Sequence, residues 1–149
     1  LPSLFFKKGL GVFSWYFFLF FFPLIAETVF RRIFLDFSRS NYFSEQSTLI
    51  CNKGLAFGID FNFNLILFFN FFILVTLLFY ALKVAGPFKK KSLLFLLLGA
   101  SFSNFVDRIS LGCVVDYIDL GLWPTFNIAD TFIVISLSLL FILYNRKVF

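Results

Sequence analysis

At 149 residues the chain has the length of one domain, yet 60% of it is apolar and only 14% charged, against about 45–50% and about 25% in soluble domains. That composition excludes a water-soluble globular protein. The net charge of +5 calls for no nucleic-acid partner, since basic residues flanking membrane segments account for it, and the lack of histidine removes Ser-His-Asp and Cys-His mechanisms and His metal sites.

In chain order, the first apolar run extends from Leu10 to Phe30 behind Lys7 and Lys8. It has the length of a membrane span, about 20 residues. It lacks the small-x-small site of a cleaved signal peptide, because Ala26 is followed by Glu27 and Thr28. The chain contains no Met, so Leu1 is read as a trimmed or alternative start. Pro23 lies inside this run, where a membrane helix tolerates it and can kink.

The stretch from Arg31 to Asp60 is the one sizeable piece expected outside the bilayer. It opens as a mixed helical segment and passes through Ser38-Arg-Ser-Asn41. Thr48 to Cys51 then has strand composition, and Asn52-Lys-Gly54 reads as a turn. A small sheet or extended flap is expected here. Further apolar runs follow at Phe61–Val84, Leu93–Ile109 and Ile128–Leu143, with Gly86-Pro87 breaking the chain between the second and third. The expected fold is all-α and integral to the membrane: four transmembrane helices, residues 1–149 as a single domain, and a small extracytoplasmic β-containing flap over about 31–60.

Basic residues set the orientation. With both termini and the Lys83–Lys91 connection inside, eight of the thirteen Lys and Arg residues face the cytoplasm, against five for the reverse. All eight acids then fall outside or in the outer halves of helices. Cys51 and Cys113 come to the same outer side. That leaves a disulfide open, while their spacing matches no metal or redox motif.

The chemistry-bearing residues cluster at the outer ends of the third and fourth spans. Asn104, Asp107 and Arg108 stand at i, i+3 and i+4, on one helical face. Taken alone, they read as an amide and an ion pair joining helices. Asp116 follows Gly112 and could be a plain loop acid, and Asp130 three residues after Asn127 reads as a helix cap. Yet a carboxylate near the bilayer is costly. The thirteen residues between Asp116 and Asp130 can fold back to bring the two together. Paired carboxyls share one proton over a range of pH, so one can activate water while the other polarises a peptide carbonyl. An ion relay would need polar groups across the whole membrane, but the inner halves of spans three and four offer only Ser136 and Ser138. A non-catalytic assembly or lipid-binding protein is the other rival, disfavoured by retention of both acids.

Four motifs in order make the reading specific: Asn52-x-Gly54-x-Ala56-Phe57-Gly58, Asn104-x-x-Asp107-Arg108, Gly112-x-Val-Val-Asp116 and Phe126-Asn127-Ile128-Ala129-Asp130. Together they resemble the bacterial lipoprotein signal peptidase (signal peptidase II) family over essentially the whole chain. The resemblance implies an aspartyl endopeptidase of the bacterial cytoplasmic membrane, multi-pass, with an extracytoplasmic active site. Its substrates would be diacylglyceryl-modified prolipoproteins, cut just before the lipidated cysteine. It further implies Asp116 and Asp130 as the catalytic pair. Asn52, Gly54, Asn104, Arg108 and Asn127 then shape the site and hold substrate, without a cofactor or metal. Membrane lipids are the expected surroundings and a monomer the expected state. Two departures stand out. Glu27 and Arg31 occupy the positions of the family's usual first-helix Asp and Lys, and are read as a structural i, i+4 pair. Leu98-Gly99 and Ser103 replace glycines usual in the third helix, which predicts looser helix packing there.

Overall fold

The computed structural model describes residues 2–39, 49–54, 61–84 and 87–145. Its elements in chain order are α1 (Pro2–Arg39), β1 (Ile50–Asn52), α2 (Phe63–Lys83), α3 (Phe88–Leu111), β2 (Val114–Asp116) and α4 (Ile128–Asn145). Each helix contains a segment of 18 to 26 residues long and apolar enough to cross a membrane. The fold therefore agrees with the sequence expectation of a multi-pass, mostly helical protein carrying a small sheet.

Boundaries differ at the first helix. α1 continues through Arg31 and Arg32 to Arg39 without a break, so the helical opening expected of the outer segment is simply the end of α1. Pro23 lies within it and is buried. Of the flap, residues 49–54 are described, and Ala56 to Gly58 lie outside the described residues, as does Gly86. The break between the second and third spans is visible at Pro87, which caps α3. A proline suits that position because the first helical N–H groups lack intrahelical partners.

α3 is the central post. α1, α2 and α4 all pack on it, α1 and α4 also pack on each other, and α3 carries more buried side chains than any other element. Buried Leu94, Leu97, Leu98, Ala100, Ser103, Asn104 and Asp107 recur at helical spacing along it. α2 buries only Ile66, Leu74 and Ala81, one narrow stripe, and presents phenylalanines outward, as a lipid-facing helix does. Stacked, tilted and edge-on rings tie α1 to its neighbours: Tyr16 stacks on Phe95 with centroids 5.0 Å apart, Phe20 tilts on Phe102 at 5.4 Å and Phe22 meets Phe132 edge-on at 5.5 Å. Such pairs add about 0.5–1.5 kcal/mol each beyond area burial.

The expected loosening of the third helix is not found at Gly99. A Cβ there would run into the backbone carbonyl of Phe20, so α1 and α3 are held at a distance that only glycine allows. A single glycine is enough because contact between two backbones is local, and Ser103 one turn on is itself small and buried.

At its C-terminal end, Gly112 closes α3 in the left-handed conformation (φ 74°), its N–H reaching the Arg108 carbonyl. A residue with a Cβ pays a steric cost there. The turn sends the chain into β2, which pairs antiparallel with β1: Ile50 opposite Asp116, Cys51 opposite Val115, Asn52 opposite Val114. A disulfide joins Cys51 to Cys113, with Cα atoms 5.5 Å apart. It secures the short two-stranded ribbon, which would be marginal by itself.

Candidate active site

The segment between β2 and α4 folds back on itself. Tyr117 and Ile118 donate their N–H groups to the Phe126 carbonyl at 3.1 and 2.8 Å, and Phe126 N–H returns to the Ile118 carbonyl at 3.1 Å. The tip turns at Asp119, whose carboxyl accepts from Gly121 N–H at 2.7 Å. This closed loop delivers Asp116 at the end of β2 and Asp130 in the first turn of α4 to one place. Both acids line one pocket of about 620 Å³ together with Asn52, Asn104 and Arg108.

Asn127 joins the two acids. Its Nδ2 donates to Asp116 Oδ1 at 3.0 Å and lies 3.2 Å from Asn104 Oδ1. Its Oδ1 accepts from Asp130 N–H at 2.9 Å, while its own N–H donates to Asp130 Oδ2 at 3.3 Å. The reciprocal pair is a capping box, so the capping role read from the sequence and membership of the carboxyl cluster are both realised. Asn104 Nδ2 donates to Asp130 Oδ1 at 2.7 Å, and Asn52 Nδ2 to Asp116 Oδ2 at 3.1 Å. Each acid thus receives two donors. Gly54 N–H donates to Asn52 Oδ1 at 3.0 Å, fixing the direction of the Asn52 amide in the turn expected after β1.

Arg108 reaches into the same pocket. Its Nη2 donates to the Gly54 carbonyl and its Nη1 to the Asn104 carbonyl, both at 3.4 Å, and its buried Nε has no hydrogen-bond partner among the described residues. A guanidinium with long bonds and an idle donor is poised to meet an additional acceptor. Burial pushes the Asp116 carboxyl up to about 6; the Asp130 charge adds to the rise, while the amides of Asn52 and Asn127 and the Arg108 charge oppose it.

The expected face of Asn104, Asp107 and Arg108 divides between two tasks. Asn104 and Arg108 turn to the acids, whereas Asp107 accepts from Arg31 Nη1 at 2.6 and 2.7 Å, joining α3 to α1. Glu27 and Arg31 are therefore structural but not partners of each other. Glu27 is 1% exposed, and its Oε2 accepts from Tyr117 Oη at 3.1 Å and Ala129 N–H at 3.2 Å. Glu27 thus reaches from α1 to the residue after β2 and to the first turn of α4. Burial, with Glu27 beside it, raises the Tyr117 hydroxyl above its ordinary value, keeping it a donor.

Sequence reading missed Asn70, whose side chain lines the pocket from α2. The signal was present as an amide in the middle of an apolar span, where a polar side chain is costly. It was obscured because no motif contains it.

A four-helix membrane bundle with an amide-bridged carboxyl pair at one end defines an integral membrane hydrolase class. The signal peptidase II family profile matches residues 25–146. Lipoprotein signal peptidases are similar to the chain: that of Halothermothrix orenii is 39% identical over 98 residues, 65% of this chain and 67% of the relative. That of Blochmanniella pennsylvanica is 35% identical over 100 residues, 60% and 61% of the two chains. The matched stretch thus spans about two thirds of the length of these relatives. A bacterial membrane enzyme solved by the in meso method at 2.3 Å shares the fold, with TM-score 0.75, 24% identity, and coverage of 89% of this chain and 88% of the other. A second, solved at 1.9 Å, gives TM-score 0.71 at 26% identity, covering 87% and 91%. The chain belongs to the signal peptidase II family and is a membrane-embedded peptidase of the lipoprotein signal peptidase type.

Proposed function

We propose that this protein, a single domain over residues 1–149, removes the signal peptide from diacylglyceryl-modified prolipoproteins, cutting before the lipidated cysteine, with Asp116 and Asp130 as its catalytic residues. The observation that carries this reading is the bridge through Asn127, which holds both acids by one side chain and one cap.

Asp116 is the natural carrier of the shared proton, given its raised pKa of about 6. Asp130 then acts as the base. Water attacks the scissile carbonyl carbon and gives a proton to Asp130, while Asp116 transfers its proton to the carbonyl oxygen, forming a gem-diol. Proton return to the amide nitrogen breaks the C–N bond. It releases the signal peptide as a carboxylic acid and leaves a free amine on the lipidated cysteine. Arg108 and Asn104 stabilise the oxygen and hold the peptide beside the acids. Asn52, fixed by Gly54, keeps the Asp116 carboxyl in place.

The active end faces the extracytoplasmic side of the bacterial cytoplasmic membrane, with both termini inside. The asymmetry of basic residues supports this orientation, and so does the Cys51–Cys113 disulfide, which suits an oxidising compartment. One chain supplies every site residue, so a monomer suffices, with membrane lipid around the helices.

The test is a gel-shift cleavage assay in detergent with a lipidated prolipoprotein, its unmodified form, and Asp130→Asn in parallel. Cleavage of only the lipidated form, lost in the variant, is expected. Failure of a folded, lipid-supplemented wild type to cleave either form overturns the reading.

A further inference from the structure

α2 packs on α3 and, among the described residues, hardly at all on α4, so the pocket lies in a gap between α2 and α4. Such a gap can admit a group from the lipid side. The α2 wall of this gap consists of Asn70, Ile73, Leu74 and Leu77. These stand at i, i+3, i+4 and i+7, so one stripe of the helix carries a single amide followed inward by hydrocarbon.

Asn70 Nδ2 is buried and has no hydrogen-bond partner among the described residues. Other polar side chains of α2 have local solutions: Thr76 Oγ1 donates to the Phe72 carbonyl at 2.8 Å, and Asn64 sits in the first turn. An idle amide donor at this depth is costly, and nothing in the packing of α2 requires one. Its level is informative. Asn70 lies seven residues into α2, and Asn104 seven residues before the end of the antiparallel α3, each about 10 Å from the outer helix end. Asn70 therefore lines the pocket near the depth of the Asn104–Asp130 contact, with apolar wall below it and its Nδ2 just behind the pocket surface.

A donor at the mouth of an apolar slot matches a carbonyl attached to a hydrocarbon chain. We propose that Asn70 donates a hydrogen bond to an ester carbonyl of the substrate's diacylglyceryl group, with the acyl chain lying along Ile73, Leu74 and Leu77. This rests on the proposed function and adds a residue that reads the lipid linkage. A peptide carbonyl offers the same acceptor chemistry, and the experiment separates the two.

The full chain in detergent is given two synthetic prolipoprotein peptides, identical except that the glyceryl group carries two acyl esters in one and two alkyl ethers in the other. The ether removes the carbonyl and keeps the chains. Wild type should favour the ester in kcat/KM by about three- to tenfold, the worth of one hydrogen bond. Asn70→Leu should bring that ratio to one, while thermal unfolding shows no loss of stability. Equal wild-type rates on ester and ether overturn the proposal. So does an unchanged ratio in Asn70→Leu, or an equal loss on both substrates, which marks a peptide contact or a damaged fold. If wild type cleaves neither peptide, the proposed function itself fails and this assignment falls with it.

Discussion

Glu27 accepts a hydrogen bond from the Tyr117 hydroxyl at 3.1 Å across ninety residues of sequence, inside the protein. The same carboxyl oxygen accepts from Ala129 N–H at 3.2 Å. Tyr117 follows Asp116 and Ala129 precedes Asp130. One side chain of α1 thereby anchors the immediate neighbours of both acids, the pair that shares a proton in the proposed mechanism.

Glu27→Ala should therefore destabilise the protein, since a buried donor left unpaired costs about 1–3 kcal/mol. Glu27→Gln keeps an acceptor and should lose less. Thermal unfolding in detergent checks the order. A Glu27→Gln variant with intact stability and collapsed turnover would contradict a purely anchoring role.

Asp116→Asn and Asp130→Asn should each lower kcat by at least about 10²–10⁴-fold, the range for one acid–base group, with both proteins still folded. The double variant should be little worse than either single one, because the two act as a unit. Single-turnover cleavage measures this, and additive losses would separate their roles.

The activity should fall as pH rises through about 6, where the Asp116 carboxyl loses the proton that the proposed mechanism needs. Asn52→Ala removes a donor that favours ionised Asp116, so the limb of kcat/KM should move to higher pH. A limb that stays in place or moves down would show that Asn52 does not act through Asp116. Stability carries the same sign. A carboxyl that binds its proton more tightly folded than unfolded stabilises the fold below its unfolded pKa of about 4. That contribution is lost as pH rises through about 6.

Reduction of Cys51–Cys113, or Cys51→Ser, frees the strand that carries Asn52. The closed loop spans 62 residues, for which chain entropy gives about 3–4.7 kcal/mol. Lower thermal stability and weaker substrate binding are expected, with kcat less affected, and a reductant titration of KM tests it.

Much of this molecule was legible in the sequence because a bilayer leaves few options. Four apolar runs become four helices, since only internal hydrogen bonding satisfies a backbone in hydrocarbon. The residues Asn52, Gly54, Asn104, Arg108, Asp116, Asn127 and Asp130 stood in motifs with fixed local spacing. What the linear order did not hold was the assignment of partners. Asp107 left its motif for Arg31, Glu27 passed over Arg31 to reach Tyr117 and Ala129, and Gly99 let the α1 backbone come up against α3. Those choices, and the place of Asn70 in the lining of the pocket, depend on how helices rotate and cross. Composition and periodicity determine that a segment spans the membrane and which residues share a face; only the packed bundle decides which face meets which, because that is settled by contacts between residues far apart in sequence.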